Sequence, residues 1–293
     1  MGGTGHVPPG PGSPRGDPGR ESGWLPDPAA APLAIPLVRQ RIKGASVRIR
    51  VAVVAGGLAL AGMALAGCDA NIGLDGATKH SSRGFTAPGD TLTLLVDNDV
   101  KVVPGPAGRI TVNRWLTGKA TQRPVWSLHD KTLTLSAPCT GVNLNCGSRY
   151  QVAVPAGTRL RVSTEYGEVS ARGLTAGVEV DAHHGDVDLS GVSGPVRVSS
   201  AYGEVRGERL GSTDVLARSD NGDIRLAFRT VPKRVTLNST FGDLSLTVPR
   251  SEYRVTTHTK YGDVRSSVAD TATSGRQLSA STDNGDVTVH TAG

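Results

Sequence analysis

The chain has 293 residues, of which 38 are glycine and 18 are proline, whereas only 4% are aromatic and 2 are methionine. So many helix breakers exclude a helical bundle or a coiled coil, and 37% hydrophobic residues exclude disorder of the whole chain. The formal net charge is +6, but residues 1–68 hold seven basic and three acidic residues, which leaves 25 basic and 23 acidic residues elsewhere. No basic stripe remains that could follow a nucleic acid backbone.

Residues 1–46 are predicted to be a disordered extension, because the first 44 residues contain nine glycines and nine prolines without a period. A signal segment follows over residues 47–67, with two arginines before an uncharged run of 16 residues. The alternative is a transmembrane helix, but a span needs about 20 residues. The segment ends in Leu-Ala-Gly-Cys, which resembles the lipobox of bacterial lipoproteins and implies a lipidated Cys68. Because signals normally start a chain, we expect translation to begin near Val47.

Residues 68–89 are predicted to be a linker, and residues 90–293 a single all-β domain. Its first part contains three segments that alternate as strands, separated by longer loops. These segments are Arg109–Trp115, Thr132–Ser136 and Gln151–Val154.

Cys139 and Cys146 lie seven residues apart. Outside the cytoplasm, an even pair at this spacing is most simply a disulfide that closes a loop. The alternative, a metal site, would need further ligands, and none of the seven histidines has a ligand spacing to these cysteines. The sequence therefore predicts a disulfide and no metal.

An internal repeat dominates the chain from residue 160 onward. A Gly-Asp or Gly-Glu pair followed by Val, Ile or Leu occurs seven times, and the glycines step by 18, 18, 19, 20, 20 and 23 residues. The glycines are Gly167, Gly185, Gly203, Gly222, Gly242, Gly262 and Gly285. The positions seven and five before the glycine and two after it are mainly apolar, and the position three before it is small. This is period-two alternation broken by a turn.

A single strand–turn–strand unit cannot bury its apolar face alone, so neighbouring units must stack. The repeat therefore predicts a single-stranded β-solenoid (β-helix) with rungs of about 18–20 residues. Residues 96–102 echo the same pattern, and residues 90–163 are expected to hold degenerate rungs that cap the amino-terminal end.

A repeat of this kind that follows a lipobox in the sequence resembles the bacterial "putative adhesin" β-solenoid family, over about residues 90–293. The resemblance implies the fold and a role at the cell surface. It carries no catalytic residues that could be transferred to this chain.

The residue before each glycine is expected to lie in one row on the outside of the turns. Its ring-bearing members form a candidate strip for stacking on sugars or on partner side chains. They are Tyr166, His184, Tyr202, Phe241 and Tyr261. The alternative is a ladder that only stabilises the turns.

The residue after each glycine is acidic, which places like charges about 5 Å apart. Turn amides, basic neighbours or a cation should offset their repulsion. The nine-residue Gly-Gly-X-Gly-X-Asp repeat of calcium-binding β-rolls is absent from the sequence. His183 and His184 are expected to alternate in a strand, so that at most one of them faces solvent.

No sequence motif for a serine nucleophile, a zinc protease or a phosphate loop is present, so neither an enzyme nor a cofactor is predicted. The predicted function is a lipid-anchored binding or adhesion module of the cell envelope, attached to the membrane through Cys68. Its expected partners are envelope glycans or surface proteins. Two alternatives remain: a self-associating scaffold with an exposed edge at the rung of Gly285, and a carbohydrate-active enzyme.

Overall fold

The computed structural model describes residues 78–139 and 146–292. This part of the chain forms 21 strands and one 3₁₀ turn, Lys119–Thr121, in two sheets of eleven and ten strands. In the same residues, no helix is sufficiently long and apolar to cross a membrane. The predicted extension, signal segment and lipidation site Cys68 lie outside the described residues.

Seven strands form the amino-terminal part of the domain. They are β1 (Lys79–Thr86), β2 (Thr91–Val96), β3 (Asp99–Gly105), β4 (Arg109–Gly118), β5 (Val125–His129), β6 (Thr132–Ser136) and β7 (Cys146–Pro155). β1 lies within residues 68–89, which the sequence assigns to a linker, so the folded domain begins before residue 90. Cys146 at the start of β7 forms a disulfide with Cys139, with 6.0 Å between the Cα atoms.

Each of the seven repeats forms one rung, in which a longer strand belongs to the ten-stranded sheet and a shorter strand to the eleven-stranded sheet. We number the rungs 1 to 7 in chain order. They are β8 (Arg159–Tyr166) with β9 (Val169–Arg172), β10 (Val178–His184) with β11 (Val187–Ser190), β12 (Val196–Tyr202) with β13 (Val205–Leu210), β14 (Asp214–Asn221) with β15 (Ile224–Phe228), β16 (Arg234–Phe241) with β17 (Leu244–Val248), β18 (Arg254–Tyr261) with β19 (Val264–Ser266), and β20 (Gln277–Asn284) with β21 (Val287–Thr291). The predicted β-solenoid is confirmed.

The apolar columns of the repeat form one core that extends through the stacked rungs. In rung 2, for example, Val178, Val180 and Val187 are buried, and the small residue between them, Ala182, is buried as well. Aliphatic side chains of similar size therefore stack on one another from rung to rung, because parallel strands pair in register. The small column leaves room where the two sheets approach each other at the turn.

Rungs 1 to 5 stack in chain order, but rungs 6 and 7 exchange places. Leu278 of β20 pairs with Val235 of β16 on one side and with Val255 of β18 on the other. In the other sheet, β21 likewise lies between β17 and β19. The prediction of an exposed edge at the rung of Gly285 is therefore wrong. Rung 7 is the penultimate rung, and rung 6 forms the end of the solenoid.

The side chains of rung 6 fit this terminal position. Thr257 and Ser266 stand in columns that are mainly apolar in the other rungs, and Val264 is 44% exposed. A terminal rung has solvent instead of a neighbour on one side, so polar side chains in its inner columns are tolerated. The loop that follows β19 partly covers the edge, where the Asp270 carboxylate accepts a 2.9 Å hydrogen bond from the Val255 N–H.

The amino-terminal end shows a similar exchange. β2 and β3 form a rung of their own, as the echo of the repeat predicts, and this rung lies between rung 1 and a further rung of β6 and β7. Beyond it, β4 and β1 continue the eleven-stranded sheet and β5 continues the ten-stranded sheet, all in antiparallel orientation. The sequence predicts degenerate rungs over residues 90–163 at this end, whereas the antiparallel layer beyond them, which includes β1 from before residue 90, is not predicted.

Candidate functional site

The turns between the two strands of each rung place one residue on the outside of the solenoid. Their glycines adopt φ between +98° and +158°, and they stack so closely that a Cβ on Gly203 would lie 2.2 Å from the carbonyl oxygen of Gly185. The chain changes direction at these glycines, so the residue before each glycine points away from the core. We call these seven residues the turn row.

The turn row is ordered differently in space and in the sequence. Because rungs 6 and 7 exchange places, it reads Tyr166, His184, Tyr202, Asn221, Phe241, Asn284 and Tyr261. The predicted candidate strip is therefore continuous only over its first three members. Asparagines separate the two distal aromatic residues from each other and from the first three.

The continuous part, which we call the ring stack, consists of Tyr166, His184 and Tyr202. The His184 ring lies 5.3 Å from the Tyr166 ring and 5.0 Å from the Tyr202 ring, with interplanar angles of 5° and 11°. The two tyrosines are nevertheless 56% and 50% exposed. Their outer edges therefore remain accessible although their faces stack.

All the large aromatic side chains that are more than a third exposed in the described part of the chain belong to the turn row. These are Tyr166, Tyr202, Phe241 and Tyr261, with exposures from 50% to 63%. Tyr150 and Tyr253, by contrast, are fully buried. The most exposed aromatic side chains of the described residues therefore lie in one line, whereas Trp115 and Trp126 are only partly exposed, outside it.

Beside the turn row lies the acidic row, which consists of the residue after each glycine: Glu168, Asp186, Glu204, Asp223, Asp243, Asp263 and Asp286. Several of its aspartates accept hydrogen bonds from the backbone of the next rung. The Asp186 carboxylate accepts a 2.8 Å hydrogen bond from the Glu204 N–H, and Asp223 accepts one of 2.8 Å from Asp243. The bond from the Asp263 N–H to Asp286 is 2.9 Å long and holds the pKa of the Asp286 carboxyl below its usual value. The Asp263 N–H therefore stabilises the charged form of Asp286.

Arginines also offset the negative charge of the acidic row. Arg225 bonds to both Glu204 and Asp223, and Arg265 bonds to Asp263 at 2.7 Å and to Asp286 at 3.1 Å. Turn amides and basic neighbours, two of the three compensating partners that the sequence predicts, are both found.

Glu168, in rung 1, is placed differently. Burial raises the pKa of its carboxyl above the usual 4.5, and the nearby carboxylates of Asp188, Asp99 and Asp186 raise it further. The charged form is therefore less favourable in the folded state than in the unfolded chain.

We expect Glu168→Gln to raise the melting temperature at pH 7. Because the pKa of Glu168 is higher in the folded than in the unfolded state, this group favours folding at a pH below its unfolded-state pKa. That contribution to stability is lost as the pH rises through the folded-state pKa. The gain from the substitution should therefore shrink to nothing as the pH falls below about 4. Thermal melts at pH 3.5 and pH 7 measure it. Glu208→Gln is the control, because Glu208, which is exposed like Glu168, lies 3.5 Å from the cation of Arg209; an equal gain in both variants would contradict the raised pKa of Glu168.

The structure also corrects the interpretation of the two adjacent histidines. The His183 side chain is 52% exposed and His184 is half-buried, and neither ring enters the core, where Ala182 lies instead. Strict alternation fails here because the strand ends and the chain turns towards Gly185. The rings of His183 and His184 are only 4.4 Å apart.

Glu165 joins these histidines, although it was not among the residues singled out in the sequence. One nitrogen of each ring and one oxygen of Glu165 all lie within 4.8 Å of one another. The signal that could have revealed it is the 18-residue spacing between Glu165 and His183, which equals one rung.

Comparisons with known proteins agree with this fold. Residues 153–291 match the family model described as Toastrack DUF4097. Among curated proteins, none matches the chain.

Solved structures resemble the chain at low sequence identity. The structure of a "putative adhesin" from Bacteroides fragilis is 16% identical, has a TM-score of 0.53 and covers 75% of this chain and 100% of its own. A "putative cell adhesion protein" from Clostridium sporogenes is 11% identical over 74% and 100%, with a TM-score of 0.37. A "putative lipid binding protein" from Parabacteroides distasonis is 12% identical over 75% and 99%, with a TM-score of 0.34. The resemblance predicted from the repeat is thus confirmed, and residues 153–291 match the Toastrack DUF4097 family.

Proposed function

We propose that this chain is a non-catalytic binding module of the cell envelope, anchored in the membrane through a lipidated Cys68, and that the turn row is its binding face. One observation carries the proposal: the exposed aromatic side chains of the described residues form a single line on the solenoid. Exposed tyrosines and phenylalanines offer flat apolar surfaces for sugar rings or partner side chains.

The spacing of the row suits an extended ligand. Successive rungs of a parallel sheet lie about 4.8 Å apart, so a polymer that runs along the solenoid meets one turn-row residue per rung. Each contact is weak, and the affinity arises from several contacts made together. Envelope glycans and surface proteins are both ligands of this kind.

The location rests on the lipobox before Cys68 and on the disulfide between Cys139 and Cys146, which is typical of an oxidising compartment. The similar fold of the Bacteroides fragilis protein, which is described as a "putative adhesin", supports a role in binding at the cell surface.

Retention of the purified chain on isolated envelope fractions tests the binding face. A Tyr166→Ala/Tyr202→Ala/Tyr261→Ala variant should be retained roughly tenfold less or weaker still, because exposed aromatic anchors carry much of the energy of such interfaces. The control replaces three exposed apolar residues outside the row with alanine, namely Leu95, Val125 and Val231, which are 42%, 45% and 38% exposed.

The proposal requires that the control binds like the parent and that both variants keep the parent's circular dichroism spectrum. Equal retention of the turn-row variant and the parent would leave the row with a purely structural role, as a ladder that stabilises the turns.

A second candidate function is a scaffold formed by end-to-end self-association. It is favoured by the terminal position of β18, on whose outer side no strand of the described residues lies. This edge is less suited to pairing with another strand, because β18 carries the charged residues Arg254 and Lys260 and because the Asp270 carboxylate already accepts a hydrogen bond from one of its backbone amides. Particle growth with concentration in light scattering would support the scaffold, and a constant monomer would speak against it.

A further inference from the structure

Three side chains with metal-binding atoms meet on the outer face of rungs 1 and 2: Glu165, His183 and His184. The Nδ1 atom of His183 lies 3.6 Å from a carboxylate oxygen of Glu165. All three candidate ligand atoms lie within 4.8 Å of one another. The Glu165 side chain is 61% exposed, so an ion in solution can reach the cluster.

The solenoid itself holds the backbone of the cluster in place. β10 pairs in register with β8 on one side and with β12 on the other, which places His184 beside Tyr166 and Tyr202. The same register makes Glu165 the neighbour of His183. The next rung has Ala201 at the position that corresponds to His183. Its side chain is a single methyl group, and the Tyr202 ring on that side has its centroid 6.0 Å from that of His183.

We propose that Glu165, His183 and His184 form a binding site for a divalent late transition-metal ion, the class that includes Zn²⁺ and Cu²⁺. Two imidazole nitrogens and one carboxylate oxygen are ligands that these ions accept. Metal–ligand bonds of about 2.0–2.1 Å bring tetrahedral ligands to about 3.4 Å from one another. Rotation of the exposed Glu165 and His183 side chains supplies the remaining approach, while the half-buried His184 ring stays between Tyr166 and Tyr202.

The ligand set selects against other ions. Ca²⁺ takes six to eight oxygen ligands, whereas this site offers one carboxylate and two nitrogens. Three protein ligands leave a fourth position for water or for a group of a bound molecule. The site goes beyond the proposed binding face and does not depend on it, although His184 belongs to both.

Isothermal titration with Zn²⁺ tests the site on the full chain without a polyhistidine tag, in a Cys68→Ser background so that this thiol cannot compete. One equivalent should bind, and His183→Ala and His184→Ala should each weaken it by roughly tenfold or more. Glu165→Gln should weaken it as well, because a neutral amide is a poorer ligand. A parallel titration with Ca²⁺ should show no binding at this site.

His129→Ala is the matched control. The His129 Nδ1 atom lies 2.8 Å from the Asp130 carboxylate, and both side chains are exposed, but within the described part of the chain they belong to no group of three such ligands. This variant should bind Zn²⁺ like the parent. Unchanged binding in both His183→Ala and His184→Ala, or equal loss in His129→Ala, would overturn the proposal.

A spectroscopic measurement locates the ion independently of affinity. Substoichiometric Cu²⁺ should broaden the ring signals of His183 and His184 in NMR spectra before those of His129, His258 and His290. Uniform broadening of all histidines would mean non-specific binding and would contradict the site. Both ligand histidines lie outside the core, so the variants should keep the parent's circular dichroism spectrum.

Discussion

Replacement of Gly203 with alanine is expected to lower the free energy of unfolding by roughly 3–5 kcal/mol. The glycine has φ +140°, and a Cβ would lie 2.2 Å from the carbonyl oxygen of Gly185 in the rung beside it. The neighbouring backbone cannot withdraw without separating the strands of two rungs. Chemical denaturation, followed by circular dichroism, measures the loss.

Three other glycines separate the two causes of this loss, which are the positive φ and the close contact of a Cβ with the neighbouring backbone. Gly191 has φ +65° but open space around it, so its alanine variant should lose only about 1–2 kcal/mol. Gly194 lacks a positive φ, but its Cβ would lie 2.0 Å from the carbonyl oxygen of Ala176, so its variant should lose more than that of Gly191. Gly157 has neither constraint, and its variant should be unchanged or more stable by up to about 1 kcal/mol. Equal losses at Gly203 and Gly157 would refute the close stacking of the turns.

Deletion of residues 276–293 should unfold two rungs rather than one. It removes β20 and β21, the strands that join rung 6 to rung 5 in both sheets. Without them, β18 and β19 lose the strands with which they pair in the folded domain, although they are still present in the chain. The local free energy of opening in residues 254–266 should therefore fall to about zero.

Hydrogen exchange resolved by peptide provides the measurement. In the deletion variant, the peptides over residues 254–266 should exchange as in an unfolded chain, while those of rungs 1 to 4 stay protected. Removal of residues 292–293 alone is the control, because it leaves both strands of rung 7 in place. Protection of residues 254–266 in the deletion variant would contradict the prediction, because rung 6 would then dock on rung 5 once rung 7 is absent.

The rungs could be predicted from the sequence because each one repeats the same local pattern of apolar, small and glycine positions. The stacking order could not, since equivalent rungs present the same columns to any neighbour. The signals for it are subtle: Thr257 and Ser266 interrupt apolar columns, and the step from Gly262 to Gly285 is the longest in the repeat. These signals distinguish a terminal rung only once the rungs are known to stack.

The candidate site, too, could be predicted only in part from the sequence. The turn row and the acidic row follow from the columns, because both lie at a fixed distance from a glycine. The metal-binding cluster does not, because Glu165 and His183 are neighbours only through the register of two strands. The interpretation of His183 and His184 was wrong because a rule for straight strands was applied to the last residues before a turn.

The exchanged rungs also determine the order in which the domain can fold. In a solenoid that stacks in chain order, folding can nucleate at any rung and extend to both ends. Here β18 and β19 reach rung 5 only through β20 and β21, which follow them in the chain, and β6 and β7 find parallel partners only in β2 and β3, although they also pair with β5 and β4 in antiparallel orientation. Local contacts therefore form first in the middle of the solenoid, and the slower contacts between distant residues close both ends afterwards.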